Sequence, residues 1–305
     1  MIHACYLTFI TKINSHQSIN YVFVPIFLKK CNIIPILAIS QYYFIIMNRW
    51  LILQILFALA LLVDVRANMP PQNPVIGILT VANEDSSFGP SSYIAASYVK
   101  FVEMSGAQVV PLYGFSSTSE ITSLLGKING VLFTGGLMDL DIKNQWTKNA
   151  DAILKYAKEQ NDKGNTFPIW ATCLGFQLLA YLTSNYDPNL LTRVHGDDAV
   201  VLPVNITSTN PYIYSAFTSY QREKFTKGSG LMYFHHNWAI LVDTFNKNKY
   251  LKDFWTLAAT ATTSYNEKFV TTMEAKKYPF YAVQFHAEKN LYEWNVYADR
   301  SLEGA

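Results

Sequence analysis

Cysteine and charge are scarce in this chain. Of 305 residues three are cysteine and 15% are charged, against 50% hydrophobic. Three cysteines cannot form a disulfide framework, and no C-x-x-C pair or His/Cys cluster supplies four metal ligands, so neither a disulfide scaffold nor a structural zinc site is expected. So much apolar residue with so little charge excludes a disordered tail or a collagen-like repeat and leaves ample material for a core. No Walker-type phosphate loop, dinucleotide fingerprint or metal-ligand spacing is found, so no cofactor and no metal are expected.

Acidic residues are nearly missing from the first 67 positions, which hold Lys12, Lys29, Lys30, Arg49 and Arg66 against Asp64 alone. The remainder carries 19 basic and 21 acidic residues. The basic balance therefore belongs to the leader and gives no sign of a nucleic-acid partner. From Trp50 to Val63 runs a 14-residue apolar stretch, preceded by Arg49 and followed by Val65-Arg66-Ala67. This is the layout of a secretory signal peptide over 47–67, cut after Ala67. An uncleaved anchor is the alternative, but a span needs about 20 apolar residues, so no stable membrane insertion is expected once the signal is removed. Residues 1–46 lack Asp, Glu and Gly altogether. They read as a start-site extension outside the fold; a small hydrophobic domain without turn glycines or surface charge would fold poorly.

From Pro74 onward short apolar runs alternate with amphipathic stretches, as in a parallel sheet covered on both faces. Strands are expected at 75–81, 107–112, 130–134 and 167–172, with helices at 92–104, 118–127, 147–162 and 174–182. Ile94, Tyr98, Val99 and Val102 form the apolar stripe of the first helix, and Gly106 ends it. After Ser184, where Asn, Thr, Ser and Tyr dominate, strands are expected at 199–204, 255–262, 269–273 and 280–285. The fold class is α/β: a doubly wound, mostly parallel sheet in one domain over 68–305. Only eleven residues follow Trp294, too few for a closing helix over the last strand.

Chemistry concentrates at three strand ends. In Trp170-Ala171-Thr172-Cys173-Leu174-Gly175 a buried strand meets a helix at a cysteine, the grammar of a nucleophile elbow, where the helix N-terminus favours a thiolate. Cys5 and Cys31 lie in the leader, so the mature chain has one thiol with no disulfide partner. A lone buried cysteine is usually mere packing; here the last strand ends on His286-Ala287-Glu288, a base and a carboxylate to orient it. Strand alternation would put residues 286 and 288 on one side. Gly135 and Gly136 follow the third strand, where ligands bind in such sheets. The Gly136 and Leu174 N–H groups could face an oxyanion, though Gly-Gly pairs also mark ordinary turns.

These motifs, with Pro74-Val75-Ile76-Gly77-Ile78-Leu79, Gln284-Phe285-His286-Ala287-Glu288-Lys289 and Tyr292-Glu293-Trp294, resemble the gamma-glutamyl hydrolases, secreted or lysosomal relatives of class I glutamine amidotransferases. The resemblance covers about 74–294. It implies a flavodoxin-like fold and hydrolysis of folate poly-γ-glutamate through a thioester. The implied roles are Cys173 as nucleophile, His286 as base and then proton donor, and Glu288 as orienting carboxylate. It also implies a second pocket histidine; the His-x-Trp spacing falls on His236, with His235 still open. Arg193 and Lys289 are candidate partners for substrate carboxylates, beside Gly135 as a backbone contact. Ala287 stands where the family usually has proline, which should loosen the turn. Another glutaminase- or peptidase-type thiol amidase, or a secreted binding protein without chemistry, are the competing functions, and homodimerisation is left open. Asn205-Ile206-Thr207 is an N-glycosylation sequon, which fits a secretory route to the exterior or to a lysosome or vacuole.

Overall fold

The computed structural model describes residues 6–9, 22–25, 51–57, 73–83, 92–195, 199–207, 211–227 and 231–293. They fall into two compact units, Met1–Pro70 and Pro71–Ala305. In the first, Tyr6–Phe9 pairs antiparallel with Val22–Pro25, and 51–57 are helical. The expected signal cleavage point and Trp294 lie outside the described residues, as does any closing helix beyond Trp294. Among the described residues no helix is long and apolar enough to cross a membrane.

The second unit is built on one eight-stranded sheet. Its strands are β1 (Val75–Leu79), β2 (Gln108–Leu112), β3 (Gly130–Phe133), β4 (Ile169–Thr172), β5 (Asn205–Ile206), β6 (Trp255–Thr262), β7 (Lys268–Ala275) and β8 (Phe280–Val283), in the order β5-β6-β7-β8-β4-β3-β1-β2. The pairs from β8 through β4, β3 and β1 to β2 are parallel; β5 to β8 pair antiparallel. Pro111 is tolerated in β2 because that strand is the sheet's edge and one side of it needs no ladder bonds.

Chain direction reverses sides at β1: α1 (Ala96–Met104) leads outward to β2, and α2 (Thr118–Leu125) leads back to β3. The helices therefore land on opposite faces. Tyr98 and Val102 of α1 pack on Ile78 and Leu132. On the other face α2, α3 (Gln145–Asp162) and α4 (Leu174–Thr183) bury Ile121, Leu125, Ile153, Leu154, Leu178 and Leu179 against the sheet. Helix α2 starts where Ser117 and Glu120 form a reciprocal capping box. Burying some fifteen such side chains at about 1.5–3 kcal/mol each is the main force holding the layers together.

The strand and helix expectations before residue 184 agree with the structure to within two residues, except that the expected strand 75–81 ends at Leu79, with Val81–Ala82 a separate strand, and that the first helix starts late. The first helix begins at Ala96, because Ser92–Tyr93 instead pairs with Val81–Ala82. Beyond 184 the departures are larger. Of the expected 199–204 strand only Val200–Val201 forms, paired with Tyr233–Phe234, and β5 lies beyond its bounds. Three unexpected helices appear: α5 (Ser219–Lys227), α6 (Val242–Lys247) and α7 (Lys249–Phe254). Each is short and buries little, Phe225, Phe245 and Leu251 respectively, so no apolar stripe announces it. Strand β8 stops at Val283, and the six-residue α8 (Ala287–Tyr292) follows and packs on α1.

Candidate active site

The carboxyl ends of β3, β4 and β8 lie side by side, and each delivers one of the expected groups. At the end of β4 the chain turns so sharply into α4 that Cys173 takes φ 53° and ψ −107°. A non-glycine residue held there stores about 1–3 kcal/mol and needs surroundings that over-determine it. Those surroundings are three backbone bonds: Cys173 N–H to Val283 O at 2.8 Å, Gly175 N–H to Thr134 O at 3.0 Å and Gln177 N–H to Cys173 O at 3.1 Å. A Cβ at residue 175 would stand 2.3 Å from Phe133 O. Glycine there is a condition for α4 to seat on β3 at all.

Cys173 is a buried free thiol at the α4 N-terminus, where the helix dipole favours negative charge. It lines a cavity of about 810 Å³ together with Gly136, Leu174, His235, His236, His286 and Lys289. Its Sγ lies 3.7 Å from His235 O, and it favours charge on His286, which lines the same cavity. The Nδ1 of His286 is bonded to Glu288 Oε1 at 2.6 Å, with both side chains buried, which leaves Nε2 for the thiol. Burial works against charge on His286, but the Glu288 carboxylate and the Cys173 sulfur outweigh it and hold the imidazole up at about 10.

The route by which Glu288 reaches His286 differs from the expected one. Strand alternation does not operate, because β8 has ended and His286 is the N-cap of α8, with Ala287 and Glu288 in its first turn. Ala287 occupies the first helical position, where proline is also accommodated because its missing N–H would have no intrahelical partner. The alanine leaves the His286–Glu288 bond intact.

Gly136 has φ +146°, a backbone that side-chain-bearing residues rarely adopt, and packs on Val81. Among the described residues neither its N–H nor that of Leu174 donates a hydrogen bond. Both line the cavity beside Cys173, which is where an oxyanion-binding pair has to be. Gly135 stands behind the cavity wall, its N–H donated to Tyr98 Oη at 2.7 Å.

His236 is the buried member of the histidine pair. Its ring sits edge-on to Phe234 and Phe269, and the Trp238 backbone approaches it without completing a bond of good geometry. Burial, reinforced by His286, lowers its pKa to about 3, so it is neutral at physiological pH. His235 is exposed, with Nδ1 3.1 Å from Tyr233 Oη. Lys289 reaches the cavity and is ion-paired with Glu293. Arg193 is exposed and does not line the cavity. Two cavity features had no sequence signal: Gln177, which donates to Trp238 O at 2.8 Å, and the phenol of Tyr98 behind His286. No group of three or more potential metal ligands occurs among the described residues.

Residues 74–288 match the family model described as Peptidase C26. The gamma-glutamyl hydrolase of Bos taurus is 36% identical over 228 residues, which cover 73% of this chain and 70% of that one. The gamma-glutamyl hydrolase of Homo sapiens is 37% identical over 227 residues, 73% of this chain and 70% of that one. Gamma-glutamyl hydrolase 1 of Arabidopsis thaliana is 32% identical over 245 residues, 76% and 67% of the two chains.

Proposed function

The chain belongs to the Peptidase C26 family, and on that premise we propose that it is a cysteine-type gamma-glutamyl hydrolase that shortens folate poly-γ-glutamates. The observation that carries the reading is the free thiol of Cys173 on a strained elbow, in one cavity with a buried His286 that Glu288 keeps protonated. In this reading the Cys173 thiolate adds to the γ-amide carbon, and the carbonyl electron pair moves onto oxygen, where the Gly136 and Leu174 N–H groups meet it. Collapse breaks the C–N bond, and the departing amine takes its proton from His286 Nε2. His286, now neutral, accepts a proton from water as the hydroxide adds to the thioester. Collapse of that second adduct expels the thiolate and releases the shortened γ-carboxylate. Glu288 keeps its negative charge throughout and stabilises the imidazolium at both ends of the cycle.

Lys289 supplies a cation for an α-carboxylate of the glutamyl chain, and the neutral His236 a hydrogen-bonding wall that does not repel one. The leader at 47–67 supports entry into the secretory route, and the exposed Asn205 of the edge strand supports glycosylation there. The direct test is incubation of the protein, expressed from Asn68, with a folate pentaglutamate, followed by mass spectrometry of the products. Shortened folates are expected from the wild type. None is expected after thiol alkylation or from Cys173→Ala with a native circular dichroism spectrum. Turnover by that variant would overturn the assignment.

A further inference from the structure

Tyr98 lies in the middle of α1, on the stripe that packs against Ile78, Val102 and Leu132. Its ring belongs to that apolar layer, but its hydroxyl does not. The Oη accepts the Gly135 N–H at 2.7 Å and lies 3.4 Å from His286 Nδ1. The His286 contact is not where the phenolic proton goes. Nδ1 already commits its own proton to Glu288 at 2.6 Å, and a protonated nitrogen cannot accept a second one. With one lone pair taken by Gly135, the phenol keeps its second for the proton on His286 Nδ1, beside the negative charge of Glu288. The fit is close: a Cβ on residue 135 would come within 2.6 Å of Tyr98 Oη and 2.8 Å of His286 Cε1.

The hydroxyl therefore touches both sides of the reaction centre. Through Gly135 it holds the peptide that precedes the Gly136 N–H; through its 3.4 Å contact with Nδ1 it braces the imidazole that Glu288 aims. We propose that Tyr98 is a positioning residue whose hydroxyl locks the oxyanion-side loop to the His286–Glu288 pair, so that one side chain sets both halves of the machinery. The inference rests on the hydrolase reading above. The next residue toward the N-terminus strengthens the geometry. Ser97 bonds Glu293, which also holds Lys289. Two consecutive residues of α1 thus clasp α8, one at the catalytic pair and one beside the cavity's lysine. Burial, with Glu288 and Cys173 as negative neighbours, raises the phenol's pKa well above its ordinary value. It therefore stays neutral throughout the working range.

The test is Tyr98→Phe, which keeps the ring and removes only the hydroxyl, measured beside Glu288→Gln and the double variant on folate pentaglutamate. Rates are normalised to the number of Cys173 thiols that alkylate in the folded protein. The expected result is a fall in kcat of about 10- to 100-fold, the size usual for lost orienting partners, with KM within about twofold. Binding of a γ-glutamyl aldehyde, whose thiol adduct places an oxygen where the oxyanion forms, should weaken by the same factor. Because Tyr98 and Glu288 meet on the same nitrogen of His286, the double variant should be slower than Glu288→Gln by much less than the single Tyr98→Phe factor. A purely packing role would lower the melting temperature and leave normalised kcat and aldehyde affinity alone. That result, or effects that multiply fully in the double variant, would overturn the proposal. Turnover surviving in Cys173→Ala would instead sink the hydrolase reading on which it rests.

Discussion

Gly175→Ala adds a single methyl group and tests whether the elbow depends on contact between α4 and β3. The new Cβ would lie 2.3 Å from Phe133 O, 2.7 Å from its carbonyl carbon and 2.8 Å from its Cβ. Ordinary contact begins near 3.4 Å, so helix and strand must part by about 1 Å. The obstacle is the backbone of a central strand bonded on both sides, not the mobile end of a side chain. Overpacking of this kind costs about 1–3 kcal/mol, and a domain of this size loses about 2–4 °C of Tm per kcal/mol, so Tm should fall by about 2–12 °C. The same displacement stretches the 3.0 Å Gly175–Thr134 bond and moves Leu174 N–H away from Gly136. A shift of about 1 Å in such a pair costs roughly 100-fold in rate. Gly126→Ala is the internal comparison. It has ordinary helical φ of −70°, with only Tyr156 Oη at 3.8 Å from its Cβ, and should gain about 0.4–1 kcal/mol. Differential scanning fluorimetry and kcat measured on the same preparations decide the matter. Wild-type Tm and kcat in Gly175→Ala would refute the reasoning about the elbow.

Three further outcomes follow from the site. Replacing Cys173 by glycine should abolish turnover yet raise Tm by a few degrees, because glycine removes strain of about 1–3 kcal/mol at φ 53°; an unchanged or lower Tm counts against stored strain. Glu288→Gln removes the charge that holds His286 at about 10. The wild type keeps that pair's stabilisation below the unfolded histidine's pKa near 6.5 and loses it as pH rises toward 10. The variant should show a flatter alkaline stability limb and a kcat about 100- to 10,000-fold lower; a wild-type limb is the adverse result. His236 has the opposite sign. It is held neutral, with its pKa lowered to about 3, so its contribution is present above pH 6.5 and lost as pH falls toward 3. In His236→Phe, urea melts at pH 7 and pH 4 should differ less than in the wild type, while KM for the substrate rises.

Much of this was legible in the sequence because buried parallel strands announce themselves as apolar runs. β1, β3 and β4 show on both neighbours' faces, and the breaks between them fall at Gly106, Gly135 and Gly164. Trp255–Thr262 could be placed because the run is apolar and threonine-rich, without charge, Gly or Pro. The helices between 219 and 254 could not, because each is anchored by one large side chain and carries no repeat. His286 and Glu288 were found together for a reason that proved mistaken: two residues of separation serves a strand face and, here, the first turn of a helix starting at its N-cap. Tyr98 was hidden by its own ring, which satisfies the apolar stripe so well that the hydroxyl passes unnoticed. His236 was selected over His235 only by the spacing to Trp238; burial then separates the two.

The position of β8 in the sheet has a bearing on how the protein is made. This strand comes late in the chain yet lies between β4 and β7, in the interior of the sheet rather than at its rim. Gln177 and Gln284, 107 residues apart, meet at 3.3 Å across that junction. Such long-range parallel pairing is slow to form. Until β8 inserts, the flank of β4 is open and Cys173 has beside it neither His286 nor the Val283 carbonyl that fixes its backbone. The surroundings that fix Cys173 are therefore complete only once β8 lies in the sheet.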